Sequence, residues 1–307
     1  MGDYIPFTMV NSSIPLSDTE YIYAQISSVF SILAVVGYIP IFFSSFRPID
    51  NPRFLFILSL AVADFVLCLV HTITNSINLF NHAFALGPDG CIATILIDDA
   101  FSVATNFSLV AITFERYMAI IHGINFNYKQ TTLILIALWG FSLLFGLYPA
   151  LVNSMDTLVV LGHAKLNCEY KWFSDEPIAY PISILAVLFL IWVPSMLFYA
   201  YYKIIQMYFS KRKAGKKITQ KERLLLIKSI IICSSQLVLW TPYFICILYE
   251  TVTHKQLQIV DGVANISAIV NSFANCLILY IFDFNIQANV RDLFNLPSVL
   301  PPKGNSH

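Results

Sequence analysis

Residues 90–121 read GCIATILIDDAFSVATNFSLVAITFERYMAII. A membrane-spanning helix needs about 20 mostly apolar residues, and this run exceeds that while carrying Asp98, Asp99, Glu115 and Arg116. At 1.5 Å per residue the step from Cys91 to Arg116 covers about 37 Å, so the two lie at opposite membrane edges. Asp98 stands five full helical turns before Arg116, so both project from one face about 27 Å apart. Asp98 is then about two turns inside the edge near Cys91. A buried carboxylate requires compensation: a ligand cation, a structural partner or protonation would each provide it. Asp99 is expected to point elsewhere, toward a neighbouring helix.

The rest of the chain has the same character. Of its 307 residues 57% are hydrophobic, 15% aromatic and only 12% charged, against about 25% charged in soluble domains. Mean hydropathy is +0.70. Such a composition excludes a secreted globule, a disordered chain and a nucleic-acid binder. Six cysteines are too few for a disulfide scaffold, and no Cys/His cluster suggests zinc. Seven apolar stretches are long enough to span: 22–46, 54–81, 90–121, 131–152, 178–208, 224–250 and 258–282. Their continuous rather than alternating hydrophobicity argues against a β-barrel. The fold expected is an all-α membrane protein, a seven-transmembrane helix bundle over residues 22–283, after an N-terminal tail over 1–21. Residues 284–294, with Phe284, Val290, Leu293 and Phe294, read as a short amphipathic helix on the membrane surface, followed by a short tail over 295–307.

With the N-terminus outside, only Lys165, Lys171 and Lys255 of the 18 basic residues lie on the outer side, as the positive-inside rule requires. Asn11-Ser12-Ser13 is a glycosylation sequon on that side. Ten acidic residues, Glu20 and Asp261 among them, share it with the three lysines. They form either a solvated rim or a field that draws cations toward the mouth.

Polar groups within the spans occur in a known order. Ser59-Leu60-Ala61-Val62-Ala63-Asp64, Glu115-Arg116-Tyr117, Trp139, Pro194 with Tyr202, Trp240-Thr241-Pro242, and Asn271-Ser272 with Asn275 follow one another at set spacings. In this the chain resembles rhodopsin-like (class A) G-protein-coupled receptors over about residues 21–294. It departs from the family pattern at Tyr38, which stands at the first-helix asparagine, at Cys276 for the seventh-helix proline and at Leu279 for the tyrosine. Tyr280 lies one residue on, about 100° around the helix, and is no substitute.

The resemblance implies a plasma-membrane receptor whose extracellular ligand, a small molecule or peptide, binds in the outer half of the bundle. It implies a heterotrimeric G protein as partner on the inner side, with lipid around the helices, and no enzymatic role. It implies a Cys91–Cys168 disulfide and ligand contacts at Asp98, Ser102, Trp240, Tyr243, Phe244 and Asn265. His71 and Tyr148 either line that cavity or merely pack. Ala186, Val187 and Leu190 offer no serines to a catechol. It implies sodium among Asp64, Thr105, Asn271, Ser272 and Asn275; a hydrogen-bonded network with water is the alternative. Retinal is excluded as a Schiff-base chromophore, since no lysine lies between Lys255 and Lys303.

Asn106 and Gln236 stand where the family carries apolar residues beside Pro194, and they read as a hydrogen-bonded polar pair in place of an apolar switch. At the inner edge Arg116 is expected to pair with Glu115 and with Glu222, and an agonist near Trp240 would swing helix six outward. Tyr117 and Tyr202 belong to the same switch, and Ile124 reads as a plug for the G protein. Two rival readings are a cation-coupled transporter using Asp64 and Asp98, and a constitutively active receptor without a diffusible ligand. The transporter would lack the internal repeat typical of carriers.

Overall fold

The computed structural model describes residues 5–6, 14–45, 52–162, 164–171, 177–213, 220–253 and 258–282. Seven of its helices are long and apolar enough to cross a membrane. They are α1 (Asp18–Ser45), α2 (Arg53–Asn81), α3 (Gly87–Tyr117), α4 (Tyr128–Gly146), α5 (Tyr180–Lys213), α6 (Gln220–Thr253) and α7 (Gln258–Phe282).

Two boundaries differ from the hydropathy reading for local reasons. Helix α1 starts at Asp18, inside the expected tail, because Ser17 and Glu20 form a reciprocal cap: the Ser17 N–H donates to Glu20 Oε2 at 2.6 Å and the Glu20 N–H to Ser17 Oγ at 3.4 Å. Helix α4 stops at Gly146, and Pro149 sits in a separate short helix, Tyr148–Leu151. At its other end the Asn127 side chain and Gln130 make a second capping box. Helix α3 ends in a π-helical turn, Met118–His122, closed by Gly123 at φ 69°. That left-handed conformation strains any residue bearing a Cβ.

The spans are helical throughout, but the Cys91 end also carries short strands. β1 (Ile5–Pro6), β4 (Val159–Leu161) and β5 (Cys168–Tyr170) form one sheet in the order β1-β4-β5, and β2 (Ile14–Pro15) pairs with β3 (Ala83–Phe84). In the β4–β5 pair Val159 faces Tyr170 and Leu161 faces Cys168.

Helix α3 is central and packs against α2, α4 and α5. Large apolar side chains face outward instead: Leu133, Phe198 and Val238 are each 67% exposed. Such patches are a liability in water and the expected outer face of a bundle in hydrocarbon. The α3–α4 crossing depends on Gly146, where an added Cβ would lie 2.6 Å from Ala100 Cβ and 2.7 Å from its backbone nitrogen. Backbone cannot swing aside, so Gly146→Val is expected to destabilise the bundle by about 1–3 kcal/mol or more. Thermal melting of the purified protein measures this, and an unchanged midpoint would contradict the close crossing.

Candidate functional site

The site begins with a lid. The loop between α4 and α5 folds into β4–β5 and is tied to α3 by the Cys91–Cys168 disulfide, with Cα atoms 5.4 Å apart. Further ties hold it. Tyr170 donates its hydroxyl to the Gly146 carbonyl at 2.8 Å. The Ala164 N–H donates to Asp261 Oδ2 on α7 at 2.7 Å. Lys165 Nζ lies 3.4 Å from Glu20 Oε1 on α1. Glu20 and Asp261 are only 2% and 3% exposed, so these two acids clamp the lid and are no part of a solvated rim. Burial, and then the nearby Asp99 charge, push the Tyr170 phenol far above its ordinary pKa, so it remains a donor.

Beneath the lid lies a cavity of about 100 Å³. Asp98, Ser102, Trp240, Tyr243 and Asn265 line it, as do His71, Asn106 and Asn167. His71 Nε2 approaches Asp98 Oδ1 at 3.6 Å, too long for a hydrogen bond. Asp99 also lines the cavity, which corrects the expectation that it points away. Residues 95, 98, 99, 102, 103 and 106 all contribute from α3, and that spacing is a helical stripe wide enough to take in both carboxylates. Phe244 is a second correction: it is not a lining residue. One step beyond Tyr243 turns it about 100°, and its ring packs on Trp240 at 6.3 Å. Asn265 spends its amide on Asp261, donating to Oδ1 at 2.7 Å and to the carbonyl at 3.1 Å. Tyr148 does not line the cavity; its hydroxyl donates to the Ile178 carbonyl at 2.9 Å.

Deeper in, Asp64 is fully buried and receives four hydrogen bonds. Thr105 and Ser272 donate to Oδ1, both at 2.9 Å; Tyr38 donates to Oδ2 at 2.8 Å and Asn275 to Oδ2 at 3.1 Å. Tyr38 thus fills the first-helix departure with a donor of its own. Both side-chain polar atoms of Asn271 are buried without a hydrogen-bond partner. This residue borders a pocket of about 20 Å³ together with Ser102, Thr105, Ser272 and Trp240. A buried unsatisfied amide calls for a water or an ion, and hydroxyl and carbonyl oxygens suit a hard cation. Alongside, Trp139 donates to Ser59 Oγ at 3.0 Å, and Ser59 pairs with Ser108 at 2.9 Å.

Gln236 Nε2 donates to Asn106 Oδ1 at 2.8 Å, and Asn106 Nδ2 donates to the Ser102 carbonyl at 2.9 Å. Gln236 and Asn106 are each 3% exposed. Interhelical amide bonds in membranes are worth about 0.6–2 kcal/mol, enough to tilt a balanced two-state equilibrium. A double-mutant cycle with Asn106→Leu and Gln236→Leu is therefore expected to show coupling of that size in basal signalling; additive effects would remove the pair from the switch.

At the Arg116 end, Glu115 is 2% exposed and its closer partner is Arg53 of α2, whose Nε lies 2.7 Å from Oε1; Arg116 Nε is 3.7 Å from Oε2. Arg53 also bonds Asn125. Arg116 borders a small pocket with Tyr201 and Asn275. Tyr202 is a third correction: it is 53% exposed and stacks on Phe198, whereas Tyr201 is buried and bonds Thr113 Oγ1 at 3.0 Å. Val193, Leu197, Ala200, Tyr201 and Ile204 are the buried face of α5, and their three- and four-residue spacing leaves 202 on the lipid side. Tyr117 packs edge-on against His122, and Ile124 is exposed. The side chain of Glu222, the Asn11 sequon, the helix over 284–294 and the tail over 295–307 lie outside the described residues.

A family model described as the 7 transmembrane receptor (rhodopsin family) matches residues 21–279. The chain belongs to the rhodopsin family of seven-transmembrane receptors. Relatives within it include the G0-coupled rhodopsin of Mizuhopecten yessoensis, 24% identical over 78% of this chain and 64% of that protein. The Homo sapiens neuropeptide S receptor is 23% identical over 85% of this chain and 76% of its own length. Squid rhodopsin has the same fold, with a TM-score of 0.73 at 20% identity, covering 93% of this chain and 91% of that one.

Several residues that matter in this receptor were not marked by the motifs. Tyr38 was marked only as a departure from the family pattern and His71 as a residue that lines the cavity or packs, and neither reading indicated the carboxylate it meets. The α5 periodicity already favours Tyr201. The Arg53–Glu115 pair and the place of Asn167 arise from chain segments far apart in sequence and have no local signature.

Proposed function

We propose that this receptor lies in the plasma membrane with its N-terminus outside, takes a cationic extracellular ligand beneath the lid, and activates a heterotrimeric G protein through Arg116. The observation that carries the reading is Asp98: it is 7% exposed, its Oδ1 lacks a hydrogen-bond partner, and it lines the cavity beneath the lid. A ligand cation would compensate it.

The same cavity reaches Trp240. Trp240 packs on Tyr243 at 5.4 Å, and Gln236 lies one turn before it on α6. Pro242 interrupts the α6 hydrogen-bond ladder and provides a flexion point. A ligand pressing on Trp240 would displace α6 about this point, break the Gln236–Asn106 bond and carry the inner end of α6 outward, opening the region around Arg116 to the G protein.

Thr105, Ser272 and Asn271 fit a sodium-like cation, which would supply a positive charge beside Asp64. The opsin relatives do not bring retinal with them, because the last span contains no lysine amine to form the Schiff base.

The test is a panel of cationic and neutral compounds, read as nucleotide exchange on purified G protein with wild type and Asp98→Asn. Cationic agonists are expected to lose about 30-fold or more in potency on the variant, in line with leaving one member of a buried charge pair alone. Equal potency on both removes the cation reading. Substrate uptake into vesicles without exchange would favour a carrier.

A further inference from the structure

The cavity is bordered by unsatisfied acceptors on two adjacent carboxylates and on an amide of the lid. Three oxygens around it are buried without a hydrogen-bond partner: Asp98 Oδ1, Asp99 Oδ2 and, from the lid, Asn167 Oδ1. The indole N–H of Trp240, itself 8% exposed, is equally unpartnered at the deep end. Asp98 and Asp99 are successive residues of α3, and both border the same cavity. No lysine or arginine lines the cavity among the described residues, and the cationisable side chain there is His71.

Unpartnered buried acceptors cost free energy, which a ligand that donates to all of them recovers. An ammonium ion is a compact, strongly hydrated point charge, whereas a guanidinium presents five donors in one plane, grips carboxylates with two parallel bonds and is more weakly hydrated. We infer that the ligand presents a guanidinium group to Asp98, Asp99 and Asn167 and directs an acceptor toward Trp240. This inference rests on the cation reading of the cavity and narrows it. A small guanidine and a peptide arginine share this chemistry.

The experiment uses the full-length receptor in lipid nanodiscs and reads apparent affinity from thermal-shift titrations. One arm compares phenethylguanidine with phenethylamine. The other compares N-acetyl-Phe-Arg-amide with N-acetyl-Phe-Lys-amide. In at least one arm the guanidinium probe is expected to bind about tenfold or more tighter, a difference of about 1.4 kcal/mol, and the arm that does so identifies the source. Asp99→Asn is expected to reduce that preference to within about threefold while binding of the amine persists. Asp99→Glu, which keeps the charge, retains the preference, and Asn167→Ala weakens guanidinium binding without altering the unliganded melt. Each variant's unliganded melt establishes that it is folded. Amines that bind as tightly as their guanidine partners in both arms, or a preference that survives Asp99→Asn, overturn the inference while leaving the Asp98 reading intact. Failure of every cationic probe on the folded wild type, or undiminished binding to Asp98→Asn, overturns both.

Discussion

Arg116→Ala is expected to reduce nucleotide exchange on a heterotrimeric G protein to the level of receptor-free membranes, with ligand affinity changed by less than about threefold. The separation of effects follows from distance: Arg116 lies five helical turns from Asp98, about 27 Å, so its removal leaves the outer cavity unaltered. Its surroundings explain why the guanidinium matters. Glu115, the adjacent acid, is engaged by Arg53 at 2.7 Å and by Arg116 at 3.7 Å. Arg53 thus competes for the carboxylate that would otherwise hold Arg116. Partly exposed pairs are worth about 1 kcal/mol or less, so Arg53→Ala is expected to return Glu115 to Arg116 and lower basal exchange several-fold. Exchange measured on membranes containing equal amounts of each variant checks both. Full activity of Arg116→Ala would end the proposed role of this residue, and raised basal activity in Arg53→Ala would reverse the competition argument.

The second large effect is expected from Cys168→Ser. The bridge joins residues 77 apart in sequence, and removing a cross-link over a loop of that size costs about 2–4 kcal/mol. For a protein of this size the melting midpoint should fall by roughly 3–6 °C. The functional loss should be larger than the stability loss. Asn167, Glu169 and Tyr170 line the cavity from the same segment, so freeing one end of the strand misplaces several cavity groups at once. The Asp261 and Glu20 ties remain and keep the loop attached, which predicts a weakened rather than a lost cavity. Cys91→Ser and reduction of the wild type should reproduce the change in melting. A variant that melts and binds as wild type would show that those other ties suffice.

Which features were legible in the sequence follows from how local their physics is. Span number and positions, the ends of α3 and the placement of Asp98 and Arg116 on one face depend on hydropathy and on a fixed rise per residue. The order of the family motifs added the disulfide, which the structure contains. Asp99 was misjudged because a single-residue offset from Asp98 was treated as turning its side chain away, and Phe244 because the same offset from Tyr243 was disregarded. The stripe of α3 that faces the cavity is wide enough to hold 98 and 99 together, whereas on α6 one step beyond Tyr243 already leaves the lining. Tyr202 was assigned by counting from Pro194, while the packing of α5 on α3 selects Tyr201.

By itself the sequence determined that this chain crosses a membrane seven times and belongs with the rhodopsin-like receptors, because burying that much apolar surface and placing charged residues within it leave few alternatives. Only the tertiary structure decided which partners those polar groups meet: Tyr38 on Asp64, Arg53 on Glu115 and Gln236 on Asn106, and that Asn167 shares one cavity with the two adjacent aspartates. Those contacts join helices and loops far apart along the chain, and their geometry depends on rotations and close approaches, such as Gly146 against Ala100, that no spacing within one helix encodes.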